Sequence, residues 1–339
     1  MIFSKGQLME AVLAKSQPTL SDVHISQPLT SISMAWLQLA SAYIAASRIF
    51  PIVPVSKQSD LYYVFNRGDF LRDEARPRAP GTESAGGGFN LSTAGYSCIT
   101  EAFHWDIPDP IRANADSILS LDRAGTEFVS QILAIRRERR FFTSFFTTGV
   151  WGTDITGVNA GPAGGQTVRW NVTGSLPRAD IDTAKNTLLQ QGLIGLKFRL
   201  LLGQEVFTAL RGHADVRDQF KYTSAESITA DMLARYFDVD EVVVSQGAYV
   251  SSVEGAAVAN AFFAGKHALL VAVPPSPSIM TPSAGYIFSW TGYMGGQGGI
   301  RIKRLRADLL ESDRIEGDMS FDMKVTAPSL GYFFSTIVA

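Results

Sequence analysis

One long amphipathic helix in the middle of the chain constrains the fold most. Apolar residues recur at positions 118, 121, 128, 132, 135, 142 and 146, and spacings of three, four and seven place them on one helix face. Asn114-Ala115-Asp116 supplies a start signal, so the pattern predicts a helix over residues 116–146. At 1.5 Å per residue it is about 45 Å long, which exceeds the usual length in a globular domain. Period-two stretches from Ile300 to Val325 predict long strands that pack beside it.

The segment before this helix, residues 51–110, is punctuated by Pro and Gly and has no helical pattern of its own. A loop of this length inside a domain is usually functional or disordered. Its charges balance between residues 67 and 83, which argues against a nucleic-acid arm and suits a surface that pairs with another protein copy. The alternative is a solvated, partly disordered loop. The predicted contact residues are Arg67, Asp69, Arg72, Asp73, Glu74, Arg76, Arg78 and Glu83.

A second group of charges lies near the end of the long helix. Arg136, Arg137, Arg139 and Arg140 surround Glu138. Cations at this end of a helix are favoured by the helix dipole alone. The sharper alternatives are contact with nucleic acid or with a neighbouring subunit.

Residues 178–290 alternate helical and strand patterns, which is typical of an α/β layer. We expect Asp180 to cap the first helix, and strands at residues 198–202, 242–244 and 269–273. Residues 150–175 look like loop, with Trp151 and Trp170 as anchors, and residues 332–338 look like a final strand.

Composition narrows the functional classes. The chain has 339 residues, enough for a sizeable core, and a net charge of −2, which does not suit a basic nucleic-acid binder. Its 18% of charged residues is below the roughly 25% of an average soluble protein, as expected when neighbours cover much of the surface. The first residues lack the pattern of a signal peptide, and the longest apolar run is too short for a bilayer. We therefore expect a soluble cytoplasmic product.

Catalytic and metal-binding patterns are weak. The four histidines lie far apart without metal-ligand spacing, and the single Cys98 predicts a buried apolar position rather than a zinc site. His213 and Asp215 are close enough for a hydrolase, although His213 following a helix is more typical of a capping residue. Asp238, Asp240 and Glu241 form a carboxylate cluster that is more typical of a solvated turn than of a divalent-ion site. We predict no cofactor, no metal and no enzymatic activity.

An ordered set of stretches carries a family resemblance. It includes Ala79-Pro80-Gly81-Thr82-Glu83, Gly149-Val150-Trp151-Gly152 and Asp180-Ile181-Asp182-Thr183-Ala184-Lys185, with residues 23–33, 50–55, 62–65, 72–74, 114–116, 202–210 and 239–242. Together these stretches resemble the HK97-like major capsid proteins of tailed bacteriophages. No single stretch is diagnostic; the order is what carries the resemblance.

The resemblance implies an α+β, HK97-like capsid fold. Its parts would be an N-terminal arm with a short helix (1–50), an extended E-loop hairpin (51–110), a P-domain with a long spine helix and long antiparallel strands (111–177 and 291–339), and an α/β A-domain (178–290). In this family the E-loop lies across a neighbouring subunit. Some members form a Lys–Asn crosslink, but the only lysine of the loop region is Lys57, near its base, so we do not expect one here.

These observations predict a major capsid protein that assembles into hexamers and pentamers of an icosahedral phage head around double-stranded DNA. The expected partners are copies of itself, a separate scaffolding protein, a portal, a decoration protein and packaged DNA, with the virion as the final location and the host cytoplasm as the place of assembly. Deleting residues 58–96 is expected to leave a folded monomer that no longer assembles. The alternatives are an encapsulin-like nanocompartment shell or a soluble hydrolase using His213 and Asp215.

Overall fold

The computed structural model describes residues 45–115, 120–191, 195–221, 228–276, 282–294 and 300–339. Its helices are α1 Ala45–Ile49, α2 Arg67–Phe70, α3 Asp109–Asn114, α4 Leu121–Phe145, α5 Pro177–Leu189, α6 Gln204–Gly212, α7 Ala214–Phe220, α8 Ala230–Phe237 and α9 Thr291–Met294. Most of the predicted N-terminal arm lies outside the described residues; α1 ends just before Pro51.

The strands follow the same chain order. They are β1 Ile52–Val55, β2 Ser59–Phe65, β3 Leu91–Ser97, β4 Ile99–Pro108, β5 Thr153–Val158, β6 Gln166–Val168, β7 Lys197–Gly203, β8 Glu241–Ser245, β9 Ala248–Val250, β10 Asn260–Phe262, β11 Ala268–Val273, β12 Gly285–Trp290, β13 Arg301–Ala307, β14 Ser312–Val325 and β15 Gly331–Ser335. Short 3₁₀ turns at Asp308–Leu310 and Pro328–Leu330 precede β14 and β15.

Contacts divide the described chain into two compact units. One contains Thr100–Arg137 and Gly299–Ser320, and the other contains Ser41–Ile99, Glu138–Gly298 and Phe321–Ala339. The long helix α4 and the long strand β14 each contribute residues to both units.

In the first unit, α4 packs on β14 as the sequence predicted. A Cβ added at Gly317 of β14 would lie 2.6 Å from Val129 and 2.7 Å from Leu133, so only glycine lets helix and strand approach this closely. Gly125 makes a similar close approach to the Trp105 ring. On its other side β14 pairs with β13, which is the outermost strand and carries Arg301, Lys303, Arg304 and Arg306.

The predicted start and apolar face of α4 need correction. Asn114 ends the separate helix α3 instead of opening the long one, while residues 116–119 lie outside the described part of the chain. The buried face runs through Leu121, Val129, Leu133 and Phe141, whereas Phe128, which the spacing placed inside, remains 42% exposed. Its ring packs edge-on against Phe103. Leu121, Phe142 and Phe146 of the predicted face are buried, so the error is confined to the middle of that face.

The second unit contains a six-stranded sheet in the order β6-β5-β15-β11-β7-β8. Helices α5, α6 and α8 supply apolar residues to its core, including Ile181, Leu210 and Phe237. Strands β7, β8 and β11 and helices α6 and α8 confirm the predicted alternation. A separate part of this unit pairs β1 in parallel with β12, which in turn pairs with residues 321–325 of β14.

The structure differs from the sequence prediction at one place around this sheet and adds detail at another. Residues 150–175 are not only loop, because they contain β5 and β6. Short strands within a glycine-rich stretch carry little local signal, and β5 pairs with the distant strand β15. The final strand was placed with the P-domain residues 291–339, but it pairs with β5 and β11 in the same sheet as β7. It also ends at Ser335 because Thr336 has a left-handed backbone with φ 45°.

Candidate assembly surface

The predicted loop is a two-stranded antiparallel hairpin. Strands β2 and β3 pair from Ser59 with Ser97 to Phe65 with Leu91. Residues 66–90 connect them, and every residue from 71 to 90 is exposed. We call residues 59–97 the hairpin, and residues 56–58 with 96–98 its root.

The two faces of the hairpin differ in what they contact. On one face Tyr62 and Tyr96 stack on Phe288 of β12, with ring centroids 5.4 Å and 4.7 Å apart. On the other face Leu61 and Tyr63 are 65% and 60% exposed, and Leu91 is also exposed. Side chains alternate between the faces of a strand, so these three residues share one side. The hairpin therefore buries one face in its own chain and leaves an apolar face open.

An aromatic cluster extends this open surface toward the loop. Phe65, Phe70 and Phe89 meet pairwise with ring centroids between 5.4 and 6.0 Å. Phe70 and Phe89 remain more than half exposed. The sequence analysis missed this cluster. Aromatic residues on both sides of a Pro- and Gly-rich stretch were the available signal.

Several predicted contact charges bond within the hairpin. Asp69 accepts hydrogen bonds from the Asn66 side chain and the Asn90 N–H, at 3.2 and 2.8 Å, so it closes the base of the loop. Arg72 pairs with Glu74 at 3.9 Å, and Arg78 donates to the Thr82 carbonyl.

The remaining predicted contact charges are arranged differently. Arg67 begins α2. Asp73, Arg76 and Glu83 are exposed, and none of them forms an ion pair with another described residue. Whether these charges meet a neighbouring subunit stays a prediction.

The root is tightly bonded. The Cys98 N–H donates to the Gln58 carbonyl at 2.8 Å, and the Gln58 side chain donates to the Cys98 carbonyl at 3.2 Å. The Trp290 indole donates to the Ser56 carbonyl at 3.0 Å. Cys98 is buried, as predicted, and burial raises the pKa of its thiol to about 11. A thiol in this state is a packing residue rather than a nucleophile.

The arginines at the end of α4 contact their own chain. Arg136 forms a two-pronged pair with Glu101, at 3.0 and 3.1 Å. The Arg139 guanidinium lies 5.1 Å from the Tyr249 ring centre, and that of Arg140 lies 5.0 Å from the Phe321 ring centre. Arg137 is half-buried. Contact of these side chains with DNA or with a neighbour stays a prediction.

His213 and Asp215 do not form a hydrolytic arrangement. The Asp215 N–H donates to His213 Nδ1 at 3.2 Å, so this nitrogen is the acceptor and the proton resides on Nε2. His213 Nε2 lies 3.1 Å from the Ser175 hydroxyl, which itself donates to the Val172 carbonyl at 2.7 Å. A general base would need the opposite tautomer, and Ser175 is buried. His213 instead ends α6 and caps α7, as the alternative interpretation predicted.

The carboxylate cluster at residues 238–241 is divided among separate partners. Asp238 pairs with Lys185 at 2.7 Å, Asp240 accepts from the Phe198 N–H at 2.8 Å, and Glu241 pairs with Arg48 and Arg199. Among the described residues no group of three or more His, Cys, Asp and Glu side chains is placed to hold a metal ion. In the same residues, no helix has both the length and the apolarity to cross a membrane.

Asp180 is not the helix cap that the sequence predicted. Helix α5 begins at Pro177, and Asp180 lies in its first turn. Its carboxylate accepts hydrogen bonds from the Trp170 indole and the Thr167 hydroxyl, at 2.8 and 2.9 Å. Burial raises the pKa of Asp180, and the two hydrogen bonds oppose that shift. Trp170 is completely buried, which confirms its role as an anchor.

Comparison with known proteins finds similarity to phage capsid proteins. Residues 164–284 match the model of the family described as phage major capsid protein E. A phage-related protein from Bordetella bronchiseptica RB50 is similar over 92% of this chain and 97% of its own, with a TM-score of 0.65 and 21% identity. No curated protein sequence matches the chain.

Capsid structures correspond over nearly the whole length. The capsid of cyanophage P-SCSP1u covers 99% of both chains with a TM-score of 0.59 and 11% identity. A chain of Microbacterium phage Oxtober96 covers 94% of this chain and 99% of its own, with a TM-score of 0.56 and 12% identity. The chain has the HK97-like capsid fold. The fold resemblance predicted from the sequence is confirmed.

Proposed function

We propose that this chain is the major capsid protein of a tailed phage and assembles with copies of itself into the hexamers and pentamers of an icosahedral head. The observation that carries the proposal is the correspondence with the P-SCSP1u capsid, which covers 99% of both chains. The match of residues 164–284 to the capsid family supports it independently.

The hairpin is the proposed contact arm. Its open face displays Leu61, Tyr63 and Leu91, and the cluster of Phe65, Phe70 and Phe89 continues the apolar surface. Burying a large apolar side chain is worth about 1.5–3 kcal/mol, so a second copy covering this face would gain substantially. Each subunit would be held by several neighbours, and multivalency makes the closed shell stable even when each contact is modest.

Electron microscopy of the purified chain tests the proposal. Shells of uniform size are expected, and a preparation that stays monomeric at high concentration would contradict it. In the matched variant, an Asn-Gly turn replaces residues 66–90 and joins β2 directly to β3. This change keeps Tyr62 and Tyr96 on Phe288, whereas the larger deletion of residues 58–96 would uncover that ring. The variant is expected to fold with unchanged core stability and to form no shells.

The contents of the shell separate the capsid from a nanocompartment. We expect packaged double-stranded DNA in the virion, bound without sequence preference, together with a portal, a separate scaffolding protein during assembly in the host cytoplasm and a decoration protein on the outside. An enclosed enzyme instead of DNA would favour the encapsulin-like alternative. The arginines at positions 136, 137, 139 and 140 remain the proposed DNA-facing or neighbour-facing residues.

A further inference from the structure

We propose that Asp322 is a positioning residue that sets the direction in which the hairpin projects, by joining the hairpin root to α4 through Arg140. The inference rests on the proposed function, because a contact arm can reach the same place on each neighbour only if it leaves its own subunit in a fixed direction.

Asp322 touches the hairpin and the helix at once. It lies on β14 opposite Phe288, the ring on which Tyr62 and Tyr96 stack. One carboxylate oxygen accepts the Ser97 N–H at 3.0 Å, and Ser97 is the last residue of β3. The other oxygen lies 3.5 Å from Arg140 Nη2 on α4.

Because the Asp322 carboxylate is buried, leaving it without partners would cost folding free energy. Its side chain is only 7% exposed, and a buried charge is tolerated when it is paired and hydrogen-bonded. Lys324 is the second cation, 3.5 Å from the oxygen that accepts Ser97. The negative charge of Asp322 also acts on residues near the hairpin root. Burial is the main reason that the pKa values of Tyr62 and Cys98 are raised, and the charge of Asp322 raises both further.

The return strand also bonds to β12 at the root through the Cys98 thiol, which donates to the Phe288 carbonyl at 3.5 Å. A thiol is a weak donor, whereas the Asp322 carboxylate accepts a charge-assisted hydrogen bond from the Ser97 N–H.

Stacked rings accept a range of offsets. The stacking of Tyr62 and Tyr96 on Phe288 therefore keeps the hairpin in contact with β12 but does not fix the angle at which it projects. The Cys98 and Gln58 hydrogen bonds lie within the root itself. The Trp290 indole anchors the chain at Ser56, just before β2, and the Asp322 carboxylate anchors it at Ser97, where β3 ends.

Strand β14 also contains a matched control. Asp318 is four residues earlier, is equally buried, and is held by Arg301 and Lys303 at 2.8 and 2.5 Å. Arg301 and Lys303 both belong to β13 rather than to the hairpin. Replacing either aspartate by alanine removes a buried carboxylate from the same strand, so the pair separates loss of stability from loss of hairpin direction.

Hydrogen exchange of the full-length subunit, measured below the concentration at which shells form, tests the inference. In Asp322→Ala the amides of residues 91–97 are expected to exchange at least about tenfold faster, because the Ser97 N–H loses a charge-assisted hydrogen bond. In Asp318→Ala their exchange relative to that of β11 is expected to stay as in the wild type. Unchanged hairpin exchange in Asp322→Ala, or equal acceleration in both variants, would overturn the inference.

A second pair of variants covers the case in which Asp322→Ala does not fold. Arg140→Met leaves Asp322 in place but removes its helix partner, whereas Arg139→Met removes a cation that lies over Tyr249 instead. Only the first is expected to accelerate exchange in residues 91–97, and equal behaviour of the two contradicts the inference. Because exchange is read before assembly, a failure of the wild type to form shells would contradict the proposed function alone.

Discussion

Strand β11 and the hairpin are both β-structure, yet they differ in how much of their surface the described chain buries. All six residues of β11 are buried, between β15 and β7 in the sheet and under the helices of the same unit. The hairpin has two strands, and its open face keeps Leu61 and Tyr63 in solvent. Isolated two-stranded hairpins are marginal in water. The sheet is therefore stabilised by its own chain, whereas the open face of the hairpin is the surface that we propose a second copy covers.

The largest expected difference between the sheet and the hairpin is in the free energy of unfolding. Phe333→Ala removes a fully buried ring from β15 and is expected to lower the free energy of unfolding by about 3–5 kcal/mol. The double change Leu61→Ser and Tyr63→Ser on the hairpin is expected to alter it by less than about 0.5 kcal/mol. Urea unfolding of the unassembled subunit measures both.

Assembly should show the opposite order. The hairpin double variant is expected to raise the concentration needed for shell formation at least about tenfold, because a neighbour would lose two apolar contacts. The matched control is Val253→Ser with Val258→Ser, two exposed valines outside the hairpin. Light scattering during assembly compares the two, and an equal effect would remove the special role of the hairpin face.

A smaller effect concerns pH. Hydrogen bonds from Arg301 lower the pKa of Asp318 to about 2 in the folded chain, below its ordinary value of 3.8. The unfolded chain therefore binds the proton first, so the stabilisation is present above about pH 4 and is lost as the pH falls toward 2. Its size is about 2 kcal/mol.

Urea unfolding between pH 5 and 2 checks this expectation. Asp318→Asn is expected to flatten the decline in stability that the wild type shows. Glu74→Gln in the hairpin, where the pair with Arg72 is exposed and long, is expected to leave the decline unchanged. A wild-type curve that does not fall over this range would contradict the assignment.

The smallest expected effect is confined to the loop. Asp69→Ala removes the acceptor of Asn66 and Asn90 at the base of the loop and is expected to speed proteolytic cleavage within residues 71–90 several-fold. The free energy of global unfolding should stay within about 0.5 kcal/mol of the wild type. Limited proteolysis followed by mass spectrometry measures the cleavage, and a protected loop would show that other contacts close it.

The parts of the fold that the sequence predicted are those with a local signal. The periodicity of α4 and the apolar runs of β7 and β11 can be recognised from neighbouring residues alone. Strands β5 and β6 were missed because they are short and lie in a glycine-rich stretch, and because β5 also pairs with β15, far along the chain. Phe128 was placed on the wrong face because spacing alone does not fix which side of a helix meets the strands.

The candidate surface was predicted in location but not in chemistry. Residues 67–83 were singled out by charge, whereas the open surface of the hairpin is largely aromatic and aliphatic. Phe70 and Phe89 meet only after the chain turns back, so their proximity has no signature in either segment. Asp322 was invisible for the same reason, since the N–H that it accepts is 225 residues away.

The charges on strand β13 bear on how copies of the protein avoid open-ended aggregation at high concentration. Among the described residues it is the outermost strand of its sheet, and an uncovered sheet edge is a template on which copies can add to one another without limit. Four of its seven residues are Arg or Lys. Such cations hinder edge-to-edge stacking of copies, so association is steered away from open-ended fibres and left to contacts that can close on themselves.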